Sequence, residues 1–419
     1  MSQTFRSLSI RNYRLYASGQ VVSNTGAWMQ RIAQDWLILS LTGSGTDLGI
    51  VTALQFGPTL LFSLWGGALA DRYRKNRLLM LTAALMGLCA LSLGLLVLSG
   101  AVSVWHVYVM AFVFGSVAAF DTPARQSFVV ELVGASDLPN AVSLNAASFN
   151  LARILGPAAA SALLAVMNTG WVFIVNAFAV LAVITALSMI REQELNAPLP
   201  VTRAKGQYRE AFSYLGTRPD LVAALFVLFF LATFGLNFQI TTTLMAVQTF
   251  HLGAGTFGLL NTMFALGALI GALLSARRKR IGIALVILSA VAFGVSAMTL
   301  SAMPNVFLYG ALLIPTGLTV ILFATCANAT MQIGVEPALR GRVMSIYTLV
   351  FLGGTPVGAP LVGWIGQHFG PRWAVGVGGL VSTVAAVVAA IVLARFKEVS
   401  LRERLAAHSP PRLAARLAN

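Results

Sequence analysis

The chain is poor in charge, in acids and in cysteine. Asp, Glu, Lys and Arg make up 10% of its 419 residues, against roughly 25% in a soluble globular domain. That excludes an ordinary soluble fold. Acids are the scarcer charge: 13 Asp and Glu stand against 28 Lys and Arg, for a formal net charge of +15. The two cysteines, Cys89 and Cys326, sit in separate apolar runs. They exclude a disulfide framework or thiolate metal cluster and read as apolar packing residues. His106, His251, His368 and His408 are scattered, so no metal is expected. Gly-x-Ser-x-Gly, His-Glu-x-x-His and Gly-x4-Gly-Lys are all missing. No enzyme and no cofactor are therefore expected. Without an ATP-binding loop, work must draw on a gradient, and one charge crossing 100 mV releases about 2.3 kcal/mol.

What is present is apolar length. Hydrophobic residues make up 58% of the chain, and its mean hydropathy is +0.82. A helix needs about 20 residues to cross the hydrocarbon of a bilayer. Twelve segments qualify: 14–41, 47–70, 77–99, 103–122, 138–166, 170–190, 220–249, 256–276, 281–301, 306–333, 341–366 and 373–395. The first follows a basic start (Arg6, Arg11, Arg14) but contains Arg31 and Asp35 and is too long for a signal segment. It reads as a retained span.

The bases fix the topology. Connections on one side are tiny: 43–46, 100–103, 168–170, 251–255, 303–305 and 367–371. The other side carries 25 of the 28 Lys and Arg; the exceptions are Arg31, Arg153 and Arg372. By the positive-inside rule both termini are cytoplasmic. The high pI is then an insertion signal and an attraction to membrane lipids. No soluble domain remains to bind nucleic acid, so none is expected as a partner.

The chain also resembles itself. Gly115 to Gly156-Pro157 echoes Gly317 to Ala359-Pro360, about 200 residues on. The basic cluster Arg72, Arg74, Lys75 and Arg77 after the second segment is matched by Arg277, Arg278, Lys279 and Arg280 after the eighth. The expected fold is an all-α membrane protein with twelve transmembrane helices in two six-helix pseudo-repeats. Its parts are an N-terminal bundle (1–190), a cytoplasmic linker (191–219), a C-terminal bundle (220–396) and a basic tail (397–419). Two such repeats around a central linker suit a secondary transporter with alternating access. The linker's second part, 205–215, reads either as an amphipathic surface helix or as a solvated connection.

Charge inside a span is costly and usually functional. Arg31 and Asp35 are four apart and share a helix face. With Gln20, Asn24, Ala27 and Gln34 they form one polar stripe, as on a helix lining a watery cavity. Asp35 reads either as a carboxylate that takes up a proton in exchange for substrate or as half of a structural ion pair. Arg153 lies about 15 residues into its segment, roughly 20 Å at 1.5 Å per residue, near mid-membrane. It reads as a substrate- or proton-coupling group or as a structural clamp. The excess of positive charge favours anionic substrates over simple cations. Asn237, Thr241, Met245 and Gln248 line one face of the seventh segment; Thr316, Thr319, Phe323 and Thr330 do so less regularly on the tenth. With Phe226, Phe229, Phe230, Phe234 and Phe238, the face suits a small, amphipathic, partly aromatic substrate, although helix packing accounts for aromatics equally well. Gly267/Gly271 and Gly354/Gly358 are small-x-x-x-small pairs for close helix contact.

The segment Gly67-x-x-x-Asp71-Arg72-x-x-Lys75-x-Arg77 resembles the loop signature of the major facilitator superfamily. Arg74 stands where that signature usually has glycine. Phe120-Asp121-Thr122-Pro123-Ala124-Arg125-Gln126 and Asn150-Leu151-Ala152-Arg153-Ile154-Leu155-Gly156-Pro157 further resemble a branch of drug and siderophore exporters that includes enterobactin exporters. Lysophospholipid flippases and macrolide exporters have similar patterns. Two positions depart from the exporters: Ala111 replaces an arginine four residues before Gly115, and Ala158-Ala159-Ala160-Ser161 follow Gly156-Pro157 where two glycines are usual.

The resemblance implies proton-coupled efflux of drugs or siderophores by a monomer, with a lysophospholipid flippase, an uptake symporter or a non-transporting receptor as alternatives. It implies that helices 1, 4, 7 and 10 line the cavity and that an acid on helix 1 carries the proton. It places helix 5 beside helix 1, which makes Asp35 one partner for Arg153. It puts Asp121 in a charge relay with Lys75 or Arg77. It has Gly67 allow close helix packing, and Asp71 cap the helix that starts near 341–345. Gly67, Asp71, Arg72, Lys75, Arg77 and Asp121 then form a cytoplasmic gate, with Asp71 favouring the outward-open state.

Overall fold

Each tiny connection carries its own stop and start signals. In the computed structural model, Gly43 ends the first helix with a left-handed backbone (φ +63°), and Ser44 caps the next by accepting from the Asp47 N–H at 3.2 Å. Asn168 and Asn305 cap two later helices by accepting from the N–H groups of Gly170 and Leu308. These side chains supply acceptors that the first turn of a helix lacks. The structure describes residues 3–196, 207–276, 282–336 and 339–407.

A short 3₁₀ turn (Gln3–Ser9) precedes α1 (Arg11–Thr42), α2 (Gly45–Arg72) and α3 (Lys75–Leu98). Next come α4 (Val104–Gly134) and α5 (Ser136–Val166), which meet at Gly134, where φ is +71°. The series continues with α6 (Thr169–Ser188), α7 (Gln207–Gly216), α8 (Pro219–Thr249) and α9 (Ala254–Ala276). It ends with α10 (Ile283–Ser301), α11 (Val306–Gly334), α12 (Arg340–Phe369) and α13 (Pro371–Ala407). All twelve expected segments are thus helical. Among the described residues ten helices, α3–α6 and α8–α13, are long and apolar enough to cross a membrane. Of the remaining three, α1 has the length, but its polar stripe dilutes its apolar surface.

One helix is less regular than its sequence. α8 contains π-helical turns at Leu231–Gly235 and Met245–Thr249, with a break at Leu236 and Asn237 between them. Such turns are rare and frequent at functional sites.

The helices before and after the 191–219 connection pack in the same pattern. α2 lies on α4, α3 on α6, and α1 on α5 and α6; likewise α9 lies on α11, α10 on α13, and α8 on α12 and α13. The two sets meet along α2 against α12 and α5 against α9. Glycine makes one of these approaches possible: a Cβ on Gly45 would stand 2.8 Å from the Gly363 carbonyl oxygen. Gly67, expected to pack closely, instead has open space beside it, as does Gly341 on α12. The close approaches of α2 to α12 thus fall at the end with short connections, at Gly45, Gly49 and Gly363.

The connection between the sets is divided in its attachments. Arg191 binds Asn12, and Asn196 binds the Glu131 carbonyl at 2.8 Å. On α7, Ala211 and Leu215 are buried and Phe212 is exposed, as an amphipathic helix requires. Arg218 donates to the Gly334 carbonyl at 2.7 Å, and Glu210 pairs with Arg342. Residues 197–206, the basic copy at 277–280 and the end of the tail from 408 lie outside the described residues.

Candidate functional site

α1 carries its polar stripe into the seam between the sets. Gln20, Gln34 and Asp35 are buried, while Asn24 and Arg31 are half-buried. Asp35 is only 4% exposed, and its Oδ2 accepts from Nε2 of Gln239 on α8 at 2.5 Å. Two more hydrogen bonds join the sets nearby: the Gly45 N–H donates to Gln367 Oε1 at 2.8 Å, and Gln248 Nε2 to the Gly43 carbonyl at 3.0 Å. All three lie toward the short-connection end.

Arg31 turns the other way. Its guanidinium carbon stands 4.8 Å from the centre of the Trp28 ring and 5.2 Å from that of Phe56 on α2. Arg153 reaches the same indole from α5, at 5.8 Å, and lies 5.8 Å from the Phe264 ring on α9. Gly156 seats α5 there, since a Cβ on it would overlap Trp28 Cβ. Across the seam, a Cβ on Gly258 of α9 would fall 2.8 Å from the Pro157 carbonyl. The Gly156-Pro157 pair is therefore a close-packing device that holds Arg153 between α1 and α9. The expected Asp35–Arg153 partnership is not formed: Asp35 binds Gln239, and Arg153 faces rings.

The basic end holds a second charged group. Asp121 is buried on α4, where it accepts from Arg125 Nε and Nη2 at 2.8 and 2.6 Å and from Thr82 Oγ1 at 2.7 Å. This corrects the expected pairing with Lys75 or Arg77. Lys75 pairs with Glu131 at 2.6 Å, Arg74 pairs with Glu192 at 2.7 Å, and Arg72 and Arg77 are exposed. A partner one turn away on the same helix is closer to Asp121 than any base on the neighbouring loop. The Asp71 side chain, on which the capping of α12 was expected to rest, lies outside the described residues.

Four expected cavity residues are packed away. Asn237, Thr241, Met245 and Phe323 are all buried. Asn237 Nδ2 donates to the Thr233 carbonyl at 2.7 Å and lies beside Gly358. Thr241 borders a small void between α8, α10 and α13 that Phe234, Phe238 and Phe293 also line. Lining a substrate path with these four would require helices to separate. Gln239, Trp28, Phe56 and Phe264 escaped the sequence reading. Trp28 was within reach, because it precedes Arg31 by three residues and so shares its face. The other three depend on tertiary contact.

Two helix sets with charged side chains in their seam, and ten helices among the described residues able to span a bilayer, describe a multi-pass membrane protein. The chain belongs to the major facilitator superfamily: the sequence profile of its transmembrane secretion effector family matches residues 2–419. A staphyloferrin A transporter of Staphylococcus aureus is 27% identical over 356 residues, covering 82% of this chain and 87% of that protein. The enterobactin exporter EntS of Citrobacter koseri is 24% identical over 365 residues, covering 86% of each. The solved bacterial homologue of the human lysosomal transporter Spinster shares the fold, with a TM-score of 0.65 at 17% identity over 96% of this chain and 98% of that one.

Proposed function

We propose that the protein is a proton-driven exporter of small amphipathic compounds, drugs or siderophores, that works as a monomer by alternating access. In this reading twelve helices span the inner membrane of a bacterial cell in two six-helix bundles, 1–190 and 220–396. The linker 191–219 and the tail 397–419 lie with both termini in the cytoplasm. The repeated packing pattern supports the two bundles, the distribution of bases supports the orientation, and the siderophore transporters among its relatives support the substrate class.

One observation carries the proton: a buried carboxylate on one set is held by a side chain of the other set, beside the contact that closes one end. A charged acceptor makes the stronger hydrogen bond. Protonation of Asp35 therefore loosens its hold on Gln239 and favours parting of the sets at the short-connection end. Arg31, one turn away, sets the local field. Asp71, Arg72, Lys75, Arg77 and Asp121 serve as the gate at the basic end.

The test is transport in proteoliposomes under an imposed pH gradient, with dyes, siderophores and lysolipids as substrates. The native chain should accumulate a dye or siderophore against its gradient. Asp35→Asn should bind that substrate but not accumulate it. Coupled accumulation by the variant would overturn the assignment of the proton to Asp35.

A further inference from the structure

Arg31 and Arg153 approach one indole from two helices, and each has a second ring at its side. Phe149 meets Trp28 edge-on at 5.7 Å between ring centres. Among the described residues neither guanidinium has a hydrogen bond or an ion pair. The acid closest in sequence, Asp35, is engaged by Gln239.

This arrangement is unusual for a structural role. A guanidinium offers five N–H donors in a planar fork. Ring faces attract its charge but accept few of those hydrogens. An arginine placed in the membrane as a clamp would normally be closed by a carboxylate or by backbone carbonyls. Here two like charges share one ring, and both side chains are half-buried, so a molecule in the seam can reach them. Arg is also the cation best suited to an aromatic anion, because its fork matches a carboxylate with two hydrogen bonds and its face stacks on aromatics.

We infer that Arg31, Arg153 and Trp28 form a subsite for an oxyanion carried on a planar aromatic ring, with a carboxylate as the simplest case. The oxyanion takes the free donors of both forks. The ring it is attached to packs among Trp28, Phe56 and Phe264. Phe264 belongs to the C-terminal set, so a bound anion touches both sets at once. This site deepens the export reading and rests on it only for the statement that the ligand is cargo. Binding itself needs no gradient.

The experiment is isothermal titration of the purified full chain in detergent, without a pH gradient, using 2-naphthoate, 2-naphthylmethanol and 2-naphthylmethylammonium. The carboxylate should bind at least tenfold more tightly than the alcohol, and the ammonium more weakly still. Arg31→Gln and Arg153→Gln should each weaken 2-naphthoate at least tenfold, and Arg153→Lys should weaken it less than Arg153→Gln. Thermal unfolding of each variant checks its fold. The three-ligand comparison uses the unaltered chain and decides the matter even if a variant does not fold. Equal binding of acid, alcohol and ammonium would overturn the subsite, as would 2-naphthoate affinity unchanged in both glutamine variants. If lysophosphatidylglycerol binds in an arginine-dependent way and 2-naphthoate does not, the cradle takes a lipid phosphate and the aromatic-carboxylate assignment fails. Loss of proton coupling alone would leave all these titrations unchanged, so the two readings fail separately.

Discussion

Gln239 on α8 donates to the carboxylate of Asp35 on α1 over 2.5 Å, and the two residues belong to opposite helix sets. The bond therefore links a titratable group to the closure of one end. Asp35→Asn keeps the shape but cannot titrate. We expect gradient-driven accumulation to fall at least tenfold, while exchange of labelled for unlabelled substrate persists and loses its dependence on pH. Flux assays in proteoliposomes read both quantities. Exchange that keeps its native pH profile would place the titrating group elsewhere.

Gly358 on α12 faces the Thr233 carbonyl so closely that a Cβ would overlap it. Overpacking of this kind typically costs 1–3 kcal/mol, and here the strain falls on the contact between α12 and α8. Gly358→Leu should keep α12 from seating there, lowering the melting temperature and cutting transport. The same change at Gly341, where nothing stands within 4 Å, should be tolerated. Thermal unfolding and flux measured on the two variants check the contrast.

Lys75 and Glu131 form a nearly buried pair, with side chains 9% and 12% exposed. Removing one partner of a buried pair typically costs 3–5 kcal/mol, because the other charge is left without compensation. Lys75→Ala should therefore lower the melting temperature more than Arg77→Ala, whose guanidinium is exposed. Replacing both partners, Lys75→Met with Glu131→Leu, should recover much of the loss. A double variant as unstable as Lys75→Ala would mean that Lys75 acts through something other than Glu131.

Asp71 is proposed to latch α2 to the start of α12 when the basic end closes, since a helix N-terminus carries partial positive charge. Asp71→Asn should shift the population toward the state open at the basic end and leave substrate affinity within a factor of about two. Spin-label distances between cysteines placed at Arg72 and Ser345 report the population, and equilibrium titration reports the affinity. A selective loss of affinity with unchanged distances would refute the latch.

The helices were legible because apolar length and end signals such as Gly43-Ser44 and Asn168 are local. The partners of the charges were not. Asp121 and Arg125 stand four apart on one helix and do pair, yet Arg31 and Asp35 have the same spacing and diverge. The difference is what surrounds them: Trp28 and Phe56 draw the guanidinium one way, and Gln239 draws the carboxylate the other. No spacing rule within α1 contains that information. The polar face of α8 is regular in the sequence, but its burial at Asn237, Thr241 and Met245 depends on neighbouring helices. Two π turns, Leu231–Gly235 and Met245–Thr249, also interrupt the 3.6 period on either side of that stretch, and no local spacing announces them.

Those π turns also fix the angular phase of α8. In an α-helix one residue corresponds to about 100° of rotation. Because the Leu231–Gly235 turn precedes Gln239, its wider coil sets the azimuth of that amide relative to the base of the helix. Tightening the turn by one residue would swing Gln239 roughly a quarter of a circle away from Asp35. A change of winding in α8 would therefore part Gln239 from Asp35 with no change at the carboxylate itself.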